Sequence, residues 1–204
     1  MDPVTSLLRS DLKLAQVIRF CGSNSQRILS KGYDSDYEAL VRAIISQQIS
    51  TSAARAITNR LLEKVGESGI TPDSVSVLTE IDFRSVGVSG PKARYILELA
   101  YSVIKGDLNL SLVHVLEDEE VVLTLQKIKG IGRWTAQMFA IVQMGRQDIF
   151  PIGDGGIKSA MIKLYGLDSN TPESEFFAIA ENWKPYRTTA CRFLWMGLDK
   201  GYFR

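Results

Sequence analysis

The sequence predicts an all-α protein of about ten helices, and three observations carry that expectation. Apolar residues recur at three- and four-residue spacing through nearly the whole chain. Prolines and glycines punctuate these runs where helices should begin and end. No alternating strand pattern exceeds about four residues, and only residues 86–88 and 109–113 look strand-like. The chain has 204 residues, 45% hydrophobic and 23% charged, which suits one large or two small globular domains with a sizeable core.

In chain order the periodic runs are 10–21, 36–48, 51–65, 72–79, 91–105, 118–128, 133–144, 155–165, 172–183 and 187–198. The run 51–65 stops at Gly66, and 91–105 stops at Gly106. The run 72–79 opens with Thr71-Pro72-Asp73: a capping hydroxyl, a proline suited to the first helical position, and an acid for the positive helix end. The acids at 117–120 open 118–128 and read as a solvated first turn. Gly145 closes 133–144, and Gly166 closes 155–165. Thr171-Pro172-Glu173 repeats the capping signal before 172–183. No Pro/Gly/Ser-rich linker, repeat or low-complexity segment interrupts the chain, so a single domain over 1–204 is expected. Within it we expect two lobes, roughly 36–120 and 1–35 plus 121–204.

No stretch approaches the roughly 20 apolar residues of a membrane span. The N-terminus lacks the basic start and apolar run of a signal peptide. Cys21 and Cys191 have no metal-ligand or cluster spacing, and a reduced intracellular protein is the default. The net charge of +1 conceals an asymmetry. Residues 1–120 carry 13 basic and 16 acidic side chains (−3), and residues 121–204 carry 11 and 7 (+4). A polyanion would therefore meet the C-terminal half, although such a difference is also common on solvated surfaces.

The sharpest local feature is the turn Lys129-Gly130-Ile131-Gly132 between two helical runs, in a hairpin over 125–136. Glycines tolerate positive φ and allow close approach to the backbone. Amides converging at a helix N-terminus bind anions, with Lys129 and Arg133 flanking them. A plain glycine-capped corner reads equally well from these residues alone.

The wider string changes that balance. L-x-x-I-K-G-I-G-R-W-T-A followed by D-I-F-P-I-G-D-G-G-I-K resembles the helix-hairpin-helix DNA glycosylase superfamily, and most closely its 3-methyladenine DNA glycosylase II branch. LVRAIISQQISTSAARAI (40–57), GVSGPKARYI (87–96) and WKPYRTTACRFLW (183–195) extend the likeness over about residues 36–200 in the expected order. The resemblance implies an all-α fold whose active-site cleft lies between two lobes. It also implies a compact member without the β-rich N-terminal domain of some relatives.

By this resemblance Asp154 matches the catalytic aspartate. Its residue type and position also suit an N-cap for 155–165, and the two roles are compatible. Breaking a base–sugar bond builds positive charge on the sugar, which a fixed carboxylate stabilises. An alkylated, cationic base leaves as a neutral molecule, so one carboxylate can suffice. Asp148 reads instead as a solvated loop acid. Trp134 stands where strand-cutting relatives carry the Schiff-base lysine, which implies base removal without lyase activity. Trp134 and Trp195 match pocket aromatics, with Met138 and Tyr186 beside them. An indole face attracts a cationic ring by ~0.5–2 kcal/mol. Both tryptophans also fit a plain core reading.

Residues 46–50, SQQIS, match the intercalating segment. Ile49 would fill the gap left by an extruded base, Gln48 would meet the orphaned partner base, and Ser50 would lie in the minor groove. A helix corner with Ile49 in the core is the alternative. Lys129, Gly130, Ile131, Gly132 and Arg133 would hold a DNA phosphate. The carbonyls of Gln126, Ile128 and Ile131 would bind a structural monovalent cation, and no cofactor is required for the chemistry. The lone His114 reads as structural or surface.

The function implied is a monofunctional glycosylase that hydrolyses the N-glycosidic bond of alkylated purines, of the 3-methyladenine and 7-methylguanine type, in duplex DNA. The partner would be double-stranded DNA with a damaged base, and the protein is expected to act as a monomer inside the cell, in the cytoplasm or nucleoid or in a eukaryotic nucleus. A catalytically silent binder of abasic or distorted DNA is the alternative, and a nonspecific duplex tether a more distant one.

Overall fold

The computed structural model describes residues 2–22 and 32–204. Among the described residues there are thirteen α-helices and no strand. They form two compact units, Met1–Ser30 with Gly145–Arg204 and Lys31–Met144.

The terminal unit joins both ends of the chain. Helices α1 (Pro3–Ser10), α2 (Leu12–Cys21), α11 (Gly155–Tyr165), α12 (Glu173–Glu181) and α13 (Arg187–Asp199) surround one core. Leu7, Leu14 and Ile18 meet Phe176, Trp183, Phe193 and Leu194 there. Asp11 fixes the corner between α1 and α2. Its Oδ1 accepts the Lys13 and Leu14 N–H groups at 3.0 and 2.9 Å, and its Oδ2 accepts the Tyr165 hydroxyl at 2.6 Å and the Trp183 indole N–H at 2.9 Å. That carboxylate, after burial, pushes the Tyr165 phenol up.

The central unit contains α3 (Asp36–Ser46), α4 (Thr51–Val65), α5 (Pro72–Ser76), α6 (Glu80–Ser85), α7 (Gly90–Ile104), α8 (Leu110–Val113), α9 (Asp118–Gln126) and α10 (Arg133–Val142). Helix α3 packs on α4, α7 and α10, while α9 packs on α10. These last contacts move the lobe boundary: residues 121–144 belong with the central unit, where the sequence placed the break near 120. The hairpin goes with them.

Most predicted helices form, with 51–65 and 155–165 reproduced at both ends. The strand-like pieces do not form strands. Residues 86–88 turn into α7, with the Val88 N–H on the Phe83 carbonyl at 2.9 Å. Asn109 caps α8 by accepting the Ser111 and Leu112 N–H groups at 3.1 and 3.4 Å. Thr71 caps α5 as expected, with Ser74 returning the bond. Thr171 does not cap α12: its hydroxyl accepts the Asp168 N–H at 3.0 Å, and Pro172 takes the cap position. No described helix is long and apolar enough to cross a membrane.

Candidate active site

Asp154 ends a loop in the terminal unit and caps α11. Its Oδ1 accepts the Ile157 N–H at 2.9 Å and the Trp195 indole N–H at 3.0 Å. Its backbone N–H donates to Pro151 at 2.9 Å, and its carbonyl accepts from Lys158 at 3.0 Å. Two N–H groups thus hold the carboxylate oxygen while two backbone bonds fix the residue itself, and the capping carboxylate has a set position. Gly156 makes room for it, since a Cβ there would stand 3.1 Å from Oδ1 and 3.3 Å from Leu198 Cδ1.

Trp195 is half-buried, with its ring against the terminal core and its polar edge on Asp154. The core reading therefore holds for the ring, while the indole N–H reaches the carboxylate that the sequence singles out as the candidate acid. Tyr186, also half-buried on that core, stands at the start of α13 and donates its N–H to Trp183 at 2.7 Å.

Asp148 is not a solvated loop acid. It receives the Arg187 guanidinium at 2.8 and 2.9 Å and the Arg187 backbone N–H at 3.2 Å. Next to it, Thr188 Oγ1 accepts the Ile149 N–H at 3.0 Å. The loop leading to Asp154 is therefore fastened to α13, the helix that carries Trp195. Beneath it Cys191 is fully buried. Burial, and then the charge of Asp154, pushes its thiol up, so it remains a neutral core residue.

In the central unit Trp134 and Met138 line a cavity of about 640 Å³ among α3, α4 and α10. That volume falls within the roughly 300–1,000 Å³ of small-molecule pockets. Ile49 also lines it and is 38% exposed, which excludes the core reading. Another wall is Tyr33, whose ring lies 4.7 Å from the Arg42 guanidinium. Arg42 in turn pairs with Glu38 at 2.7 Å. Gln143 holds the Tyr33 backbone, accepting its N–H at 2.8 Å and donating to its carbonyl at 3.3 Å. Gln143 also donates to Asp36 at 3.0 Å, and Asp36 pairs with His114 at 2.7 Å. His114 is thus a surface residue tied to Asp36, which fits its reading as structural or surface.

Between α3 and α4 the chain turns at Gln48, whose φ of +56° is the left-handed value that non-glycine residues rarely adopt. Ser50 caps α4: its Oγ accepts the Ala53 N–H at 3.2 Å and shares a 3.0 Å hydrogen bond with Ser52. Sequence reasoning passed over Gln47 and Lys92. Gln47 Nε2 donates to the Gly130 carbonyl at 2.9 Å and to Thr135 Oγ1 at 3.1 Å. Lys92 Nζ donates to the Ile45 and Gln47 carbonyls at 2.8 and 2.7 Å, and burial lowers its pKa. Both lie within motifs already singled out, and only their three-dimensional partners were hidden.

The hairpin closes with the Ile131 N–H on the Ile128 carbonyl at 3.0 Å. Gly130 has φ +88°, and a Cβ there would enter the Tyr95 ring. Gly132 is different. It starts α10 with no side-chain cap, is exposed, and a Cβ there would meet nothing within 4 Å. Lys129 is exposed. Arg133 is exposed too but is engaged by Glu119 at 2.7 and 2.8 Å, so the acidic first turn of α9 is paired with the hairpin. Arg133 holds the Glu119 carboxyl below the usual carboxylate range.

A match to the HhH-GPD superfamily, described as base excision DNA repair protein, spans residues 41–185. The chain belongs to the HhH-GPD superfamily. It is 30% identical over 204 residues to DNA-3-methyladenine glycosylase 1 of Schizosaccharomyces pombe, covering 94% of this chain and 88% of that one. It is 30% identical over 171 residues to YfjP of Bacillus subtilis, covering 81% of this chain and 60% of the relative's length. A solved structure of S. pombe 3-methyladenine DNA glycosylase (Mag1) in complex with abasic DNA aligns with a TM-score of 0.88 at 28% identity, over 98% of this chain and 97% of that one. The family and the all-helical fold expected from the motifs are therefore both met, and 3-methyladenine DNA glycosylases are its relatives over most of its length.

Proposed function

We propose that the protein is a monofunctional DNA glycosylase that releases alkylated purines from duplex DNA and leaves an abasic site. The observation that carries this reading is Asp154 held by the Ile157 and Trp195 N–H groups. A carboxylate fixed in this way offers a negative charge that needs no reorganisation as the sugar becomes oxocarbenium-like. The glycosidic electron pair leaves with the base, which for a cationic purine departs neutral. Water adds to the sugar carbon, and Asp154 orients it or accepts its proton. Trp134, where strand-cutting relatives have lysine, supplies no amine for a Schiff base, so base removal ends the reaction.

In the central unit Trp134 and Met138 offer an aromatic and a polarisable wall to a base; in the terminal unit Trp195 steadies Asp154, and Tyr186 opens the helix that carries Trp195. Ile49 fills the vacated stack, Gln48 meets the partner base, and Ser50 contributes less because its hydroxyl is engaged in capping. The uncapped amides at Gly132, with Lys129 and Arg133, take a backbone phosphate. The carbonyls of Gln126, Ile128 and Ile131 suit a hard monovalent cation. Ile128 accepts one N–H and keeps a second lone pair. Such an ion would bridge hairpin and phosphate.

Duplex DNA treated with a methylating agent, assayed for released 3-methyladenine and 7-methylguanine, tests the reading. Asp154→Asn should lower release by about 100-fold or more while abasic-DNA binding persists. Unchanged release would remove Asp154 from its role. Tight abasic binding with no release by the wild type would favour the silent binder.

A further inference from the structure

The motif GVSGPKARYI carries part of the family likeness, yet the proposed chemistry uses none of it. In the structure it forms the start of α7, and two of its side chains, Lys92 and Tyr95, stand three residues apart on one helix face. Lys92 holds the Ile45 carbonyl at the end of α3 and the carbonyl of its C-cap, Gln47, immediately before the left-handed Gln48. Tyr95 lies against Gly130 so closely that no side chain fits there. Gln47 closes the loop by donating to the Gly130 carbonyl and to Thr135 at the start of α10. One ammonium, one ring and one carboxamide therefore join the 46–50 turn to the 128–132 turn.

We propose that Lys92, Tyr95 and Gln47 are positioning residues that brace the 46–50 turn against the hairpin, so that wedge insertion and backbone grip operate as one rigid element. A turn stabilised only by its own residues would relax the unfavourable Gln48 backbone and retract Ile49. The ammonium across two carbonyls opposes that relaxation. Lys92 gives up hydration to do so, which is why burial lowers its pKa. The inference rests on the reading of residues 46–50 as the segment that enters the base stack.

The test uses a duplex carrying a stable abasic analogue with 2-aminopurine beside it, whose fluorescence reports insertion without requiring base release. Lys92→Met and Gln47→Leu should each slow insertion by about tenfold, with affinity for intact duplex unchanged within about twofold. Lys92→Arg, which can still donate to two carbonyls, should restore most of the rate. In methylated DNA the same variants should lower kcat and leave KM nearly unchanged. Asp11→Ala, which loosens the other unit, serves as the control for a general stability loss and should insert normally. Wild-type insertion rates in both Lys92→Met and Gln47→Leu overturn the brace, as does equal slowing by Asp11→Ala. Failure of the wild type to release any base, with insertion still dependent on Lys92 and Gln47, overturns the glycosylase reading and leaves the brace standing.

Discussion

At the scale of single residues, the two hairpin glycines answer to different demands. Gly130 needs positive φ and has Tyr95 against it, whereas Gly132 has ordinary dihedrals and open space. Gly130→Ala should therefore destabilise the fold by about 2–5 kcal/mol, combining left-handed strain with overpacking. Gly132→Ala should change stability by no more than about 0.5 kcal/mol. Denaturant titration separates the two. The same Gly132→Ala should weaken DNA binding, because the added methyl occupies the approach to the amides. In the sequence the pair looked equivalent, since G-x-G does not say which glycine faces a ring 35 positions upstream. The cap role of Asp154 was legible because an Asp just before a periodic run is a favoured N-cap, and its Oδ1 does accept the Ile157 N–H. Asp148 was misread because the guanidinium that holds it arrives 39 residues later.

At the scale of elements, long periodic runs were easy to read and short ones were not. Helices α4 and α11 match at both ends because a cap and a glycine bracket each. Helix α1 was missed: it is only eight residues, and its start rests on Asp2 accepting two N–H groups before a proline. Helix α12 begins one residue late because the Thr171 hydroxyl turns back to Asp168. Such competition between local acceptors leaves no trace in periodicity. Asp11 joins elements rather than ending one. Its loss in Asp11→Ala removes a cap and strands the Tyr165 hydroxyl and the buried Trp183 N–H. Urea unfolding should show a loss of about 2–4 kcal/mol.

At the scale of the whole molecule, a net charge of +1 makes long-range attraction to a polyanion weak, so the DNA affinity proposed above would have to come from a few local groups. The C-terminal excess predicted from counting charges is partly spent internally, since Arg133 is engaged by Glu119 from the N-terminal count, while the Arg187–Asp148 pair is already balanced within that excess. The logarithm of duplex affinity should fall against that of salt with a slope of about −2 to −3, one unit per phosphate contacted. Glu119→Gln, which frees Arg133, should raise affinity and steepen that slope by about one. Fluorescence anisotropy over a salt series reads both. The lobe division was only partly legible, because helix patterns reveal apolar faces and not which neighbour covers them. Residues 121–144 looked like the opening of a C-terminal half, and their packing on α3 decided otherwise.

The make-up of the terminal unit has a consequence for synthesis. Cys21 in α2 donates its thiol to the Phe193 carbonyl, 172 residues later. As the chain leaves the ribosome, α1 and α2 emerge ahead of the central unit, and their apolar faces must wait for α13 to be made. The central unit is one uninterrupted segment and can close during that delay. The nascent protein can therefore build its hairpin and the 46–50 turn before it can assemble the core around Asp154. A chain stalled shortly before α13 would hold the folded parts proposed to grip DNA without the completed acid site that would act on it.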